Sequence, residues 1–298
     1  MTPGDLWPRK DQDAAAWTRA AFAAGDYVWG FMRWELYSVV RDPAGLYRID
    51  PALGPVSHAI SVLGMPGRTA EVGMLEIGRP QPGETVYVSA ASGAVGQIAG
   101  QLAKAAGARV IGSAGTDEKV QHIVDRLGFD DAFNHRAVPS PGEALDRLCP
   151  DGIDVYFDNV GGPTLDAVLA RLRPFARIPV CGMISQYDGQ SGGIRNLAAV
   201  VGARATMTGF IIYDHMADFE RFPARMAERM RRGEVRYFED IVEGIENTPA
   251  AFIGMMAGDN LGKRLVRAWW NVVGAAVRSR SDLWCRSDLQ IAICRSLL

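Results

Sequence analysis

This sequence predicts a doubly wound α/β fold, with helices on both faces of a parallel sheet. Three observations carry that expectation. Between residue 84 and about residue 213, short apolar runs alternate with helical patterns, as they do in chains that build parallel sheets. The first strand-to-helix junction, ETVYVSAASGAVGQIAGQLAKAAG, contains a glycine turn. A second strong strand, GIDVYFDNVGG, ends on the pair Gly161-Gly162.

The elements follow in order. Residues 84–90 form the first strand. A helix over 94–106 puts Val95, Ile98, Leu102 and Ala106 on one side. RVIGSA, residues 109–114, is the second strand. Thr116 or Asp117 caps a helix that runs to Leu127. A short strand near Ala132 and Phe133 precedes the fourth strand at 152–162. Residues 165–172 are helical, and 177–181 form the fifth strand. Beyond a glycine-rich loop at 188–193, a helix leads to a sixth strand near 206–212. A charged amphipathic helix covers 217–232.

The flanks read differently. Residues 24–83 hold short β-like pieces, punctuated by Pro43, Pro51, Pro55, Pro66, Pro80 and Pro82. Residues 1–23 are polar and contain tryptophan. Residues 268–298 combine two adjacent tryptophans with scattered arginines and no sustained period.

Composition removes several function classes. The chain has 298 residues, 48% hydrophobic and 22% charged, with a formal net charge of −2. That balance gives no reason to expect nucleic acid or an anionic membrane as partner. No apolar run reaches the roughly 18–20 residues of a membrane span. The first residues lack a signal peptide's apolar stretch. The cysteines, Cys149, Cys181, Cys285 and Cys294, form no C-x-x-C pair and no metal-ligand spacing with histidine. Scattered thiols of this kind suit a reducing cytoplasm, and a catalytic zinc is disfavoured.

The glycine turn is a candidate phosphate cradle. The dinucleotide fingerprint wants a tight turn, then a glycine for close approach of the diphosphate, then a glycine for helix–strand packing. Ala91, Gly93 and Gly96 occupy those positions, and Ser92 can donate to a phosphate. A glycine-rich turn alone is weak evidence, but its strand-before, helix-after context argues for a cofactor. The second strand then separates NAD from NADP. An NAD site wants an acid at its end, on the ribose 2′-hydroxyl. Here the strand ends GSAG, residues 112–115, with Lys119 in the next turn and Ser113, Gly115 and Thr116 beside it. NADP is favoured, with Asp117 and Glu118 counting mildly against it.

Several longer segments resemble one family. GMPGRTAEVGMLEIGRPQPGETVYVSAASGAVGQIAGQLAK, GIDVYFDNVGG, RIPVCGMISQYD, GFIIYD and AGDNLGK are similar to the zinc-free medium-chain dehydrogenase/reductases, which include prostaglandin reductases, alkenal/one oxidoreductases and curcumin reductases. The resemblance spans about residues 24–267. It implies a Rossmann domain over 84–235, and a partial GroES-like β domain built from 24–83 and a returning segment at 236–267. It implies NADPH as cofactor, reduction of the C=C bond of α,β-unsaturated ketones and aldehydes, and a homodimer. Ala91, Ser92, Gly93, Ala94, Val95 and Gly96 would cradle the diphosphate, and Lys119 would reach the 2′-phosphate. His135 stands where the family often has a tyrosine. Asn159 would sit near the nicotinamide. Cys181, Gly182, Phe210 and Ile211 would line the cofactor through their backbones, and Asn260 would hydrogen-bond it from the returning segment. With no metal, Tyr187 or Tyr213 is the candidate proton donor after hydride addition to the β-carbon. Trp34 and Tyr37 are candidates for pocket wall.

Two departures accompany the resemblance. The family's opening strands, with a pattern like SVDPYMRGRM, have no match in 1–23, and the 268–298 tail matches nothing in the family. The expectation is a member lacking its first strands and carrying an unrelated tail. Two alternatives to enone reduction follow: a non-catalytic or defective NADPH-binding fragment, and quinone reduction by the same hydride chemistry.

Overall fold

The structure is a computed structural model. It describes residues 22, 26–36, 38, 40, 45–187, 193–268 and, as backbone only, 290–293. Most of residues 1–23, Tyr37 and most of the tail lie outside the described residues.

Two short strands, β1 (Tyr27–Gly30) and β2 (Tyr47–Arg48), pair antiparallel. Residues 51–78 then correct the expectation of β-like pieces. They form 3₁₀ turns at Pro51–Leu53 and Val56–Ile60, helix α1 (Met65–Glu71) and a wider π-type turn at Val72–Gly78. Two of the prolines read as strand punctuation, Pro51 and Pro66, in fact start helical segments. Pro51 and Pro66 occupy the first two positions of their helices, where no intrahelical N–H is needed, and Asp50 caps the first of them through Ala52 N–H.

Six strands then make one parallel sheet. They are β3 (Thr85–Val88), β4 (Arg109–Ala114), β5 (Asp131–Asn134), β6 (Ile153–Phe157), β7 (Leu172–Val180) and β8 (Thr206–Gly209), in the spatial order β5-β4-β3-β6-β7-β8. The connecting helices are α2 (Gly96–Ala105), α3 (Asp117–Leu127), α4 (Pro141–Leu148), α5 (Gly162–Leu169) and α6 (Ala199–Ala203). Strand alternation sorts the core onto two faces. Val86, Val88 and Val110 meet Ile98 and Leu102 of α2 on one face. Tyr87, Ile111 and Tyr156 meet Leu145 of α4 and Leu169 of α5 on the other.

Several boundaries differ from those expected. Helix α4 was not anticipated, although Ser140 caps it by accepting from Glu143 N–H and Pro141 opens it. Helix α5 begins at Gly162, three residues before the expected start, and β7 is correspondingly longer at nine residues. The helix expected over 217–232 begins at Phe222 as α7 (Phe222–Arg231), because residues 212–218 turn as a 3₁₀ segment kinked at His215.

After α7 the chain returns through β9 (Glu239–Glu243), α8 (Thr248–Ala257) and β10 (Lys263–Arg267), with β9 and β10 paired in parallel. The backbone of β11 (Gln290–Ile293) pairs parallel with β1. Among the described residues no helix is long and apolar enough to cross a membrane. The chain leaves β3 towards β4 on one side, whereas β6 leads to β7 on the other. A crevice therefore opens beyond the C-terminal ends of β3 and β6, the position at which this topology binds ligands.

Candidate active site

The glycine turn lies at the head of that crevice. Ala90 adopts a left-handed φ of 47° just beyond β3, and Ala91 N–H donates to Ser113 O at 2.9 Å. Ala91 is fully buried, and its methyl lies over Gly112 of β4, 2.9 Å from where a Cβ would stand there. The alanine at the first fingerprint position is thus matched by a glycine on the neighbouring strand. A Cβ on Gly96 would run into Ala90 O, so only glycine lets α2 start against the strand end. Gln97 N–H donates to Gly93 O, and Ile98 and Ala99 N–H donate to Val95 O. Among the described residues, Val95 and Gly96 N–H have no acceptor, and they sit at the positive end of α2. Two free amides beside a close-approach glycine fit a diphosphate.

The returning segment closes over this turn. Gly262 N–H donates to Ser92 O at 2.9 Å, and Asn260 Nδ2 donates to Gly262 O at 2.7 Å. Two buried glutamines of α2 hold the same segment as a strand would. Gln97 exchanges hydrogen bonds with the backbone of Phe238, and Gln101 with that of Arg236. Asn260 is therefore carried to the turn.

At the end of β4, one expectation needs correction. Ser113 was a candidate phosphate donor, but its hydroxyl is buried on the opposite sheet face, paired with Tyr87 OH at 2.7 Å. Alternation along β4 puts Gly112 towards α2 and Ser113 away from it. Gly115 follows, flanked by His135 and Arg136, each with a side-chain atom 3.4 Å from where its Cβ would be. Thr116 caps α3 through Lys119 N–H. Lys119 is buried, and its Nζ donates to Gly258 O in the returning segment. Burial lowers its pKa, and the charge of Arg136 lowers it further. Asp117, which counted against NADP, is engaged by Asn134 Nδ2 at 2.8 Å. Sequence reasoning missed Arg136, whose Nη2 donates to Ala257 O at 3.0 Å. Its place depends on β5 pairing beside β4, which the residues around it do not reveal.

Beyond β6, Asp158 is fully buried. Its Oδ1 accepts from Tyr156 OH, Val160 N–H and Gly161 N–H at 2.7, 2.9 and 2.8 Å. Burial raises its pKa despite these bonds. The Asn159 side chain donates to Ser89 O at 2.7 Å, and its N–H to Ser89 Oγ at 3.0 Å, so it ties β6 to β3. Cys181 and Gly182 N–H both donate to Asp158 O. Burial, with Asp158 nearby, pushes the Cys181 thiol up to about 12, which removes it as a nucleophile. Tyr187 OH lies 3.4 Å from the Cβ position of Gly182. The Phe210 ring packs over Gly73, whereas Ile211 is exposed. Tyr213 is 39% exposed, with its ring 6.0 Å from Phe31, and Trp34 lies 6.2 Å from Phe252. Among the described residues no group of three His, Cys, Asp or Glu could hold a metal ion.

The structure thus places the expected residues in three groups at the C-terminal ends of the sheet strands. Ala91 to Gly96 and Asn260 surround the turn. Gly115, Lys119 and His135 cluster at the end of β4. Asn159, Cys181, Gly182 and Tyr187 lie beyond β6 and β7, with Phe210, Ile211 and Tyr213 beyond β8.

Known proteins resemble this chain in sequence and in fold. Residues 94–231 match the family model described as "Zinc-binding dehydrogenase". The chain is 45% identical over 246 residues to a tobacco (Nicotiana tabacum) protein named "2-alkenal reductase (NADP(+)-dependent)", a match covering 82% of this chain and 72% of that one. It is 42% identical over 255 residues to prostaglandin reductase 1 of Rattus norvegicus, covering 84% and 77%. Among solved structures, CurA from Vibrio vulnificus in complex with NADPH superposes with a TM-score of 0.74 at 41% identity, over 80% of this chain and 72% of that one.

Proposed function

This chain belongs to the zinc-free medium-chain dehydrogenase/reductases, and from that premise we propose that it reduces the C=C bond of α,β-unsaturated ketones and aldehydes with NADPH. The observation that carries the reading is the phosphate cradle at Ala91–Gly96, together with an adjoining strand end that holds cations instead of an acid. The names of the tobacco and rat relatives support the reaction class, and the CurA complex supports the cofactor.

Bound NADPH supplies a hydride for the β-carbon of the enone. The protein's own groups do the rest. Val95 and Gly96 N–H would receive the diphosphate, while Lys119, with His135 beside Gly115, would receive the 2′-phosphate. Asn159 holds the β3 and β6 ends at a fixed separation by the bonds of its side chain and its N–H to Ser89, at the end where the nicotinamide would lie. The Cys181-Gly182 and Phe210-Ile211 backbones line the same end, and Asn260 steadies the diphosphate turn through Gly262. Hydride addition at the β-carbon leaves an enolate, and the Tyr187 or Tyr213 hydroxyl, or water, would deliver the proton that its α-carbon then takes up. Domains follow as a Rossmann unit at 84–235 and a partial GroES-like unit from 24–83 with 236–267. We place the chain in the cytoplasm as a homodimer. The free thiols Cys149 and Cys181 support the first. Edge strand β8 and the exposed Leu197 and Val201 of the preceding segment support the second.

The test is NADPH oxidation at 340 nm with 3-nonen-2-one. Steady consumption matched by saturated ketone is expected. Folded protein that binds NADPH yet turns over no enone would refute the assignment.

A further inference from the structure

We propose that Arg136 and Lys119 join the cofactor's 2′-phosphate to the end of helix α8, so that a 2′-phosphorylated adenosine, and not an unphosphorylated one, fastens residues 254–262 over the site. The proposal rests on the NADPH reading above and adds a residue and a coupling to it.

Two cations meet one helix end. Lys119 Nζ donates to Gly258 O, and Arg136 Nη2 donates to Ala257 O at 3.0 Å. Those carbonyls close α8. Gly258 is left-handed at φ 82°, and Gly258 and Asp259 N–H fold back onto Met255 O and Gly254 O at 3.0 and 2.9 Å. The carbonyls of Ala257 and Gly258 belong to the last turn, left without an intrahelical donor and carrying the helix's partial negative charge. Each cation spends one donor there. An ammonium has three N–H and a guanidinium five, so both keep donors for an anion.

The position of Arg136 is fixed from below. His135 N–H donates to Ala114 O at 3.0 Å, and Asn134 Oδ1 accepts from Arg136 N–H at 3.0 Å while its amide holds Asp117. This turn puts the guanidinium beside Gly115, with Nε and Cζ 3.4 and 3.5 Å from the Cβ position. The end of the second strand is where the 2′ substituent of a bound adenosine arrives in this topology. Lys119 is only 9% exposed, so a second cation beside it is costly without a neutralising anion. Asp259 and Asp240 offset part of that charge, but Asp240 is already paired with Arg264 at 2.7 Å. A 2′-phosphate supplies the missing charge.

The fastened segment reaches the other end of the cofactor site. Four residues beyond Gly258, Gly262 N–H bonds Ser92 O in the diphosphate turn. One stretch of chain therefore touches both phosphate subsites, and order imposed at one is passed along it.

Calorimetric titration of wild type and Arg136→Ala with 2′,5′-ADP and with AMP tests this, alongside amide hydrogen exchange over 254–262. A lost charged hydrogen-bonding partner corresponds to about tenfold or more in affinity. Arg136→Ala is expected to bind 2′,5′-ADP about tenfold or more weakly and AMP within about twofold of wild type. In wild type, 2′,5′-ADP slows exchange over 254–262 well beyond AMP at equal saturation, and the variant loses that difference. Equal losses for both nucleotides, unchanged 2′,5′-ADP affinity, or equal protection by the two ligands in wild type would overturn the proposal. A fluorescence titration of wild type with NADPH separates the two readings. No binding refutes the cofactor assignment and the proposal with it, whereas binding combined with any of those outcomes refutes the proposal alone.

Discussion

Ala91 and Gly112 form a size-matched pair, so their substitutions should be strongly non-additive. Gly112→Ala puts a methyl 2.9 Å from Ala91 Cβ and 3.1 Å from both Ile123 Cγ2 and Phe129 Cδ1. Carbon atoms prefer about 3.5–4.0 Å. Ala91 cannot retreat, because its N–H is bonded to Ser113 O and the preceding Ala90 is held at a left-handed φ. Overpacking of this kind costs about 1–3 kcal/mol, and the rigid neighbour argues for the upper half. Ala91→Gly removes one buried methyl and adds backbone freedom to the unfolded chain, costing about 1–2 kcal/mol. In the double variant the 2.9 Å contact is gone and only the two 3.1 Å contacts remain. The pair should therefore be less destabilised than the sum of the single variants by about 1 kcal/mol or more.

Urea unfolding followed by circular dichroism measures all four proteins, with NADPH titrations beside it. Gly112→Ala alone should weaken NADPH, since the turn can relieve the clash only by tilting its free amides. The double variant should recover most of that loss. Additivity within about 0.5 kcal/mol would refute the reasoning, because it would mean that the two residues do not share one space.

Three further outcomes follow. Ser113→Ala should leave NADPH affinity within about twofold while lowering stability by about 1–3 kcal/mol, since it strands the buried Tyr87 hydroxyl; titration and urea melts check both halves. His58 has its pKa lowered by burial against the opposing pull of Glu239, and its Nδ1 has no partner among the described residues. The unfolded chain therefore binds the proton more readily, and the histidine's contribution is intact above about pH 6.5 and lost as pH falls through that value towards the folded pKa. Urea midpoints at pH 7.5 and 5.5 should drop less in His58→Gln than in wild type. Tyr187→Phe and Tyr213→Phe should separate the proton donor from the pocket wall. The donor's variant loses kcat by about 10²–10⁴-fold in the enone assay, and the other changes mainly KM.

What could be read in advance was what is local. RVIGSA was placed at residues 109–114, where β4 lies, because a buried parallel strand is a continuous apolar run bounded by turns. The A-x-G-x-x-G spacing likewise located the turn between β3 and α2, since the close approach at Gly96 is to Ala90 only six residues earlier. Residues 51–78 misled because proline marks both strand breaks and first helical turns, and only packing distinguishes them. Ser113 misled although period-two alternation was available: Val110, Gly112 and Ala114 share one face, so the serine between them belongs to the other. Arg136 had no local signal, because its place depends on β5 lying beside β4. The pairing of Ala91 with Gly112 shows the same limit more sharply. They are 21 residues apart along the chain, and they meet because β3 and β4 align with Val88 opposite Gly112, and the left-handed turn at Ala90 brings Ala91, three residues beyond the strand, over the glycine. An alanine that departs from the fingerprint within its own six residues is thus accommodated by a neighbouring strand. The fingerprint's first position is a requirement for space, which either a missing side chain there or a missing side chain opposite can meet.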